Sequence, residues 1–290
     1  MSQIVVGKLV LSSGLQVPNV TSGTRPTGAV SGSIIFNTST SKFEKWNGSS
    51  WETASTSSLD ATGGTIAYWG PYKIHIFTTV GTSQFVVSSG SGEVDYLIVA
   101  GGGGGGMDMG GAGGGGGVLQ GKTTITSQSY NIVVGQKGYG APGGSGGYRT
   151  DGVGPQPSYH QFTIPATNGG NSSAFGLNAI GGGCGGSSYY GYSPESAGSN
   201  GGSGGGASGY SDGGTRSGGT GTVGQGYNGG RGGGQYYSGG GGGAGGKGYD
   251  SPYPPNGGIG KECDILGTNL YWGGGGGGSA YSAYNGGNGG

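Results

Sequence analysis

Charged residues are scarce in this sequence, and neither sign dominates. Lys and Arg together number 12, Asp and Glu together number 12, and the four types make up 8% of the chain. Proteins that bind nucleic acid or an anionic membrane surface by electrostatic attraction carry an excess of basic residues. The composition therefore argues against nucleic acid and against an anionic membrane surface as binding partners.

Long apolar runs are also missing. No stretch reaches the roughly 18 apolar residues of a membrane-spanning helix, so we predict no membrane insertion. The first eleven residues lack a basic segment and Lys8 interrupts their apolar run, so we predict no signal peptide. Hydrophobic residues make up 30% of the chain, too few for a large conventional core. The two cysteines, Cys184 and Cys263, form no disulfide framework and are expected as free thiols in a reducing cytoplasm.

Motifs for catalysis and cofactor binding are lacking as well. His75 and His160 have no Cys or carboxylate at ligand spacing, which argues against a metal site and a catalytic triad. Among so many glycines a dinucleotide-type motif arises by chance, and Gly248 follows Lys247 where a phosphate-binding loop needs Ser or Thr. We predict no enzymatic activity, no catalytic residues, no metal and no cofactor. His75 is expected on a sheet face and His160 in a solvated loop.

Glycine is what the chain has instead. Residues 101–290 hold 73 of its 85 glycines, in blocks such as Gly101–Gly106 and Gly273–Gly278, without the period of collagen. Polyglycine II helices make no internal hydrogen bonds, so their amides must pair with neighbouring segments. Only glycine allows the close backbone approach that such pairing requires. The blocks therefore predict a bundle in which nearly every amide is paired between segments.

The predicted fold is mostly β and irregular, with small N-terminal β segments followed by a glycine-rich polyglycine II helical bundle with Tyr-rich loops. Residues 1–60 are predicted to form an attachment or trimerisation module, with a type I′ hairpin turn at Asn47-Gly48. Residues 61–100, with strands from 118–135, form a β platform in which 84–87 returns along 73–77. Residues 101–290 form the glycine-rich domain.

Tyrosine clusters between the glycine blocks are the candidate binding residues. Sixteen of the 19 tyrosines follow residue 100, accompanied by Asn, Ser, Asp and Pro, a mixture that antibody paratopes use. The alternative is that these rings cap the bundle as a substitute core. If the blocks run up and down, successive loops should emerge at opposite ends, so that about half could share a tip. The candidate receptor-binding residues are Tyr189, Tyr190, Tyr192, Tyr249, Tyr253, Tyr281 and Tyr284.

The N-terminal segment resembles a short module of tail-fibre and other structural proteins of marine phages. The resemblance lies in residues 32–38, Gly-Ser-Ile-Ile-Phe-Asn-Thr, and in 43–51, Phe-Glu-Lys-Trp-Asn-Gly-Ser-Ser-Trp. Such modules usually trimerise, so the resemblance implies a homotrimer. This suits a segment too small to bury its own core.

Residues 65–290 resemble the glycine-rich domain of many phage fibre proteins. The similarity lies in 74–77, 94–101 and 130–135, and it continues through Asn171–Gly176 and Ser203–Gly206. Members often finish with a strand after the last glycines, whereas this sequence ends at Asn288-Gly-Gly290. Residues 101–290 are also similar in architecture to the polyglycine-sandwich adhesins at the fibre tips of some T-even-like phages.

These resemblances imply a phage tail fibre or receptor-binding protein that adheres to host cells, located in the virion and assembled in the host cytoplasm. Its partners would be a host surface receptor, either a glycan or an outer-membrane protein, and other virion tail proteins. One alternative is a non-adhesive virion structural spacer. Another is a cellular glycine-rich matrix or ice-binding protein, against which the fibre-type N-terminal module counts.

Overall fold

A computed structural model describes residues 17–54, 59–107, 109–141, 165–188, 197–209, 214–233, 237–251 and 255–279. The chain divides into two compact units, residues 1–58 and 59–290. The described part of the N-terminal unit contains β1 (Asn19–Val20), a 3-10 helix (Ser22–Thr24), β2 (Ile34–Asn37), β3 (Lys42–Trp46) and β4 (Trp51–Thr53). The four strands form one sheet in the order β1-β2-β3-β4, and β1 is parallel to β2.

A polar network fills one face of this small sheet. The Arg25 guanidinium donates two hydrogen bonds of 2.8 Å to the Glu44 carboxylate, and Asn37 Nδ2 donates a third of 2.8 Å. Asn37 and Glu44 are buried beside Ile35, whereas Ile34 and Phe43 of the opposite face are about half exposed. Glu44 is thus a buried carboxylate whose charge is balanced by the partly exposed Arg25.

The hairpin between β3 and β4 lies where the Asn-Gly pair predicts one, but its turn type differs. Gly48 has a φ of 106°, whereas Asn47 is not in the left-handed region that a type I′ turn requires. The Asn47 side chain instead accepts hydrogen bonds from the amides of Ser49 and Ser50, at 2.9 and 2.8 Å. The side chain thus stabilises the turn by a local hydrogen-bond pattern.

The second unit begins with a β platform and carries short strands between its glycine segments. Its strands are β5 (Asp60–Thr62), β6 (Thr65–Trp69), β7 (Tyr72–Ile76), β8 (Gly81–Ser89), β9 (Ser91–Val99), β10 (Val118–Thr126), β11 (Ser129–Val134), β12 (Ser172–Ala174), β13 (Leu177–Ala179), β14 (Lys261–Cys263) and β15 (Leu270–Trp272). One antiparallel sheet has the order β13-β12-β11-β8-β5, and β9–β10, β6–β7 and β14–β15 form two-stranded sheets.

One predicted pairing within this platform is wrong. Strand β7 pairs with β6 across a Gly70-Pro71 turn rather than with the 84–87 segment, because that turn joins the two strands directly. The 123–126 segment pairs with β9 in a two-stranded ribbon, and β11 pairs with β8 in the five-stranded sheet. The ribbon and the five-stranded sheet bury one apolar cluster between them: Ala61, Phe85, Val87, Ile98, Ala100, Ile125, Ile132, Ala174 and Ala179.

The predicted polyglycine II helical bundle is wrong. The described residues contain no α-helix, and their single 3-10 helix, Ser22–Thr24, lies in the N-terminal unit. The glycine segments are irregular, with isolated β-bridges such as Gly201 to Gly221. Their backbone hydrogen bonds join different segments, so no helix is needed to pair the amides. The β-rich and irregular part of the prediction fits.

Neighbouring glycine segments bond at intervals of three residues. Gly103 N donates to Gly114 O at 2.8 Å and Gly106 N to Gly111 O at 2.9 Å, so these two segments are antiparallel. At the edges of this group of glycine segments, the side-chain oxygen of an Asn accepts a hydrogen bond in place of a backbone carbonyl. Asn168 accepts from Cys184 N at 2.8 Å, and Asn200 accepts from Thr220 N at 2.7 Å. The free thiol of Cys184 lies 3.2 Å from Ser199 Oγ.

Close approach explains why these segments are glycine. A Cβ added at Gly103 would lie within 3.0 Å of the backbone of residues 182 and 183, a distance that real Cβ atoms essentially never show. Other positions are free, since a Cβ at Gly105 would meet nothing nearer than Gly111 O at 3.9 Å. Glycine is therefore sterically required at some positions of a block and not at others.

Candidate functional site

The two ends of the glycine segments differ in how the chain connects them. At what we call the sheet end, the segments run into strands or short turns. Val118, at the start of β10, donates to Gln225 O at 3.0 Å, and Ile180 N, just after β13, donates to Gln225 Oε1 at 2.8 Å. The turn Thr222–Gln225 thus packs beside strands of the platform.

The opposite end, which we call the loop end, is defined by the described residues that flank the undescribed stretches. The flanking residues that the structure describes are 107 and 109, 141 and 165, 188 and 197, 209 and 214, 233 and 237, 251 and 255, and 279. We refer to them as the loop anchors.

Hydrogen bonds show that the first anchors are neighbours. Ala141 N donates to Gly105 O at 2.9 Å, beside the anchor Met107. Ser188 N donates to Met107 O at 3.2 Å, and Gly209 N donates to Met109 O at 2.9 Å. Three sequence-distant anchors, Ala141, Ser188 and Gly209, therefore lie near Met107 and Met109.

The later anchors continue the same end. Ser279 Oγ donates to Gly110 O at 3.2 Å, and Ser279 N donates to Ser238 Oγ at 2.6 Å. The backbone amide of Gly233 donates to the carbonyl oxygen of the anchor Tyr237 at 3.2 Å, and the backbone amide of the anchor Ser251 donates to Arg231 O at 2.9 Å. The anchors thus gather at one end of the segments.

Among the described residues, successive connections between the glycine segments alternate between the two ends, as expected for segments that run up and down, so about half of them share the loop end. The stretches with most of the candidate tyrosines are all anchored at the loop end. The reason is that the sheet-end connections are strands or tight turns, such as Thr222–Gln225. The chain therefore has one end rich in variable sequence and one end built from β structure.

Tyr249 is the one candidate binding residue that the structure describes. Its side chain is 54% exposed, while its amide donates to Asn256 O at 3.1 Å near the anchor Ser251. The backbone is thus fixed while the ring is open to solvent. The remaining candidates, Tyr189, Tyr190, Tyr192, Tyr253, Tyr281 and Tyr284, lie outside the described residues.

Sequence reasoning missed one exposed aromatic residue at the loop end. Tyr139 is 59% exposed, two residues before the anchor Ala141, and the Lys137 ammonium lies 6.0 Å from the centre of its ring. Such a contact stabilises an exposed ring weakly. The signal in the sequence was a single Tyr between glycines, and attention to clusters passed over it.

The titratable side chains of the described residues do not form a metal-binding cluster. They contain no group of three or more His, Cys, Asp or Glu that could hold a metal ion. His75 is half-buried, with Nδ1 2.7 Å from Gly63 O and its ring against Phe85 at 5.0 Å between ring centres. Nor does any helix among them have the length and apolar character to cross a membrane.

Comparison with known families gives a match over residues 78–290 to a family described as the glycine-rich domain. The chain belongs to the glycine-rich domain family. The matched region of this glycine-rich domain runs from just before β8 through the glycine segments, so it contains both the sheet end and the loop end. Neither the curated proteins nor the solved structures contain a match to the chain.

Proposed function

We propose that this glycine-rich domain protein is a phage tail fibre or receptor-binding protein that adheres to host cells through its Tyr-rich loops. The observation that carries the proposal is the gathering of the loop anchors at one end of the glycine segments. Binding residues are commonly displayed on loops that a rigid scaffold positions. Here interlocked backbone hydrogen bonds would fix the loop bases while the loop sequences remain free to vary.

The composition of the loops supports a role in recognition. Tyr supplies large contact area at a low cost in conformational entropy, and Ser and Asn supply adaptable hydrogen bonds. The exposure of Tyr249 and Tyr139 fits this role, because neither ring is used to cover the scaffold. The receptor would be a surface glycan or an outer-membrane protein.

A homotrimer is part of the proposal, assembled through residues 1–60. Ile35 is the buried apolar side chain of the described N-terminal sheet, whereas Val30, Ile34 and Phe43 are 74%, 47% and 50% exposed. A unit with so little core needs partners to be stable. Several copies of one weak site would then act together through avidity. The protein would be located in the virion, joined to other tail proteins.

The test is adsorption to host cells by variants in which the tyrosines of one cluster are changed to Ser. The clusters are Tyr189, Tyr190 and Tyr192; Tyr249 and Tyr253; and Tyr281 and Tyr284. We expect at least one cluster variant to lose adsorption while its unfolding temperature stays within about 2 °C of the parent, as for a surface change. Tyr271→Ser is the matched control, since Tyr271 is 38% exposed at the sheet end.

The alternative function, a non-adhesive virion spacer, makes the opposite prediction. If every cluster variant either unfolds the protein or adsorbs normally, the tyrosines are structural caps and the adhesion proposal fails. Loss of adsorption in Tyr271→Ser alone would also contradict the proposal, because it would move the binding surface to the sheet end.

A further inference from the structure

The turn between β3 and β4 carries an Asn-Gly pair whose backbone is open to solvent. Asn47 and Gly48 are both exposed, and among the described residues the Gly48 amide takes part in no hydrogen bond. In an Asn-Gly pair the backbone nitrogen of the glycine can attack the side-chain carbonyl carbon of the Asn, since no Cβ on the glycine hinders the approach. The Gly48 nitrogen is therefore available as a nucleophile.

The carbonyl group that this nitrogen would attack is surrounded by hydrogen-bond donors. Asn47 Oδ1 accepts from the Ser49 amide at 2.9 Å, from the Ser50 amide at 2.8 Å and from Ser49 Oγ at 2.9 Å. Donors at this distance stabilise the negative charge that develops on a carbonyl oxygen when a nucleophile adds to its carbon. The turn thus supplies a small oxyanion hole for the Asn47 side chain.

The nitrogen that would leave also has a partner. Asn47 Nδ2 lies 3.2 Å from Ser50 Oγ and 3.5 Å from Glu52 Oε2. A hydroxyl group both accepts and donates hydrogen bonds, so Ser50 can pass a proton to the departing nitrogen. Nucleophile, activated carbonyl and proton donor therefore lie within one four-residue turn.

The Asn-Gly pairs of the glycine segments are held differently. Their glycine amides donate backbone hydrogen bonds, from Gly169 to Gly182 O at 2.9 Å, from Gly201 to Thr220 O at 3.1 Å and from Gly229 to Gly219 O at 2.9 Å. In the pair Asn256-Gly257 the glycine is buried. Attack at these sites requires the segment to open first. The hydrogen bonds between glycine segments thus protect the Asn residues within them.

We propose that Asn47 is a self-modification site, which converts to aspartate and isoaspartate in the folded protein. A bond forms between Gly48 N and Asn47 Cγ, the Cγ–Nδ2 bond breaks, and ammonia leaves with the proton that the Gly48 amide gives up. Water then opens the cyclic imide at either of its carbonyl groups. The step needs no oxidant and no cofactor. The site goes beyond the proposed adhesion, because it involves neither the loop tyrosines nor a receptor.

The modification changes the turn that contains it. The new carboxylate lacks the N–H groups of the amide and lies beside the Glu52 carboxylate, so the two negative charges repel. In isoaspartate the main chain also gains one carbon, which disturbs the bond from Asn47 N to Ser50 O at 3.0 Å. Trp46 and Trp51, with ring centres 5.5 Å apart, flank this turn. We therefore expect the β3–β4 hairpin to loosen as the protein ages.

The experiment is peptide mass spectrometry on the full-length protein, incubated at neutral pH either folded or unfolded in urea. In the folded protein Asn47 should convert at least about tenfold faster than Asn168, Asn200 and Asn228, as expected if each of these must first lose a hydrogen bond. In urea the four residues should convert at similar rates, because each precedes a glycine. Hydrogen exchange in residues 42–53 should quicken as Asn47 converts.

Asn47→Gln is the matched control, because it keeps the amide but would have to form a larger ring. It should not convert, and its hydrogen exchange should stay constant through the same incubation. Equal conversion of the four Asn residues in the folded protein would overturn the proposal. So would an Asn47 that reacts about tenfold more slowly folded than in urea, since the turn would then protect the amide. Host adsorption is not the readout, so failure here is separate from failure of the loop proposal.

Discussion

Two substitutions within one glycine block should change stability in opposite directions. In Gly103→Ala the new Cβ points at the backbone of residues 182 and 183, closer than real contacts allow. In Gly105→Ala the nearest atom is Gly111 O at 3.9 Å, and Gly105 is not in the left-handed region. The same chemical change is therefore made two residues apart, in an obstructed and in an open position.

The loss of stability expected for Gly103→Ala can be worked out from the backbone hydrogen bonds that the new Cβ would disturb. The 180–188 segment must move away, which strains Gly114 N to Gly183 O at 2.9 Å and Gly182 N to Gly101 O at 2.8 Å. A buried amide left unpaired costs about 1–3 kcal/mol, so losing two costs about 2–6 kcal/mol. Gly105→Ala should instead stabilise the protein by about 0.4–1 kcal/mol, because Ala reduces the entropy of the unfolded chain.

Thermal unfolding followed by circular dichroism, with urea unfolding as a second measure, tests both values. Gly103→Ala should lower the midpoint by at least about 5 °C and Gly105→Ala should leave it equal or raise it slightly. Gly275→Ala, obstructed by the backbone of residue 241, and Gly276→Ala, with 3.4 Å to Ala112 Cβ, form a second pair. Equal effects within both pairs would refute the close-packing argument, and no effect at any of the four would mean that the blocks are flexible linkers.

Three further predictions concern the N-terminal unit. Hydrogen bonding to Arg25, with a smaller contribution from Asn37, lowers the pKa of Glu44 below its ordinary 4.5. The ionised Glu44 carboxylate therefore stabilises the folded state above that pH, and this stabilisation is lost as the pH falls through the lower pKa of the folded state. Glu44→Gln should lower the free energy of unfolding by about 1–3 kcal/mol at pH 7 and should weaken the dependence of that free energy on pH below 4.5. An unchanged pH dependence would contradict this prediction. Ser41→Gly should raise the unfolding midpoint, because Ser41 has a φ of 55°, whereas a lower midpoint would show that its side chain matters more. Light scattering should report a trimer that Phe43→Asp dissociates, and a monomeric parent at micromolar concentration would refute the trimer.

The sequence predicted the strands better than their partners. Alternation located β7, β8 and β9, but their pairing depends on turns such as Gly70-Pro71 and on which faces meet in the core. The helical form of the glycine segments was predicted wrongly, because the need to pair amides between segments does not dictate a helix. The hydrogen bonds that the side chains of Asn168 and Asn200 accept from backbone amides of other segments were not foreseen. An Asn beside glycine is just as typical of a turn.

The candidate site was predictable only in part. Composition identified the Tyr-rich stretches, and Tyr249 is exposed as a binding residue must be. The common end of the loop anchors depends on hydrogen bonds between residues far apart in sequence, such as Ser279 and Gly110, which are 169 positions apart. No local pattern contains that information.

The three-residue interval of the hydrogen bonds between glycine segments constrains how such a chain can change in length. Gly101 bonds to Gly170 and Gly104 bonds to Thr167, so the insertion of one residue between 101 and 104 would leave every later amide of that segment facing away from its partner. Insertion of three residues would lengthen the segment and leave the later amides facing the same partner segment. Insertions or deletions of any size in the stretches beyond the loop anchors leave this three-residue repeat of hydrogen bonds unchanged. Related chains should therefore differ freely in length at the loop end, and in multiples of three within the glycine segments.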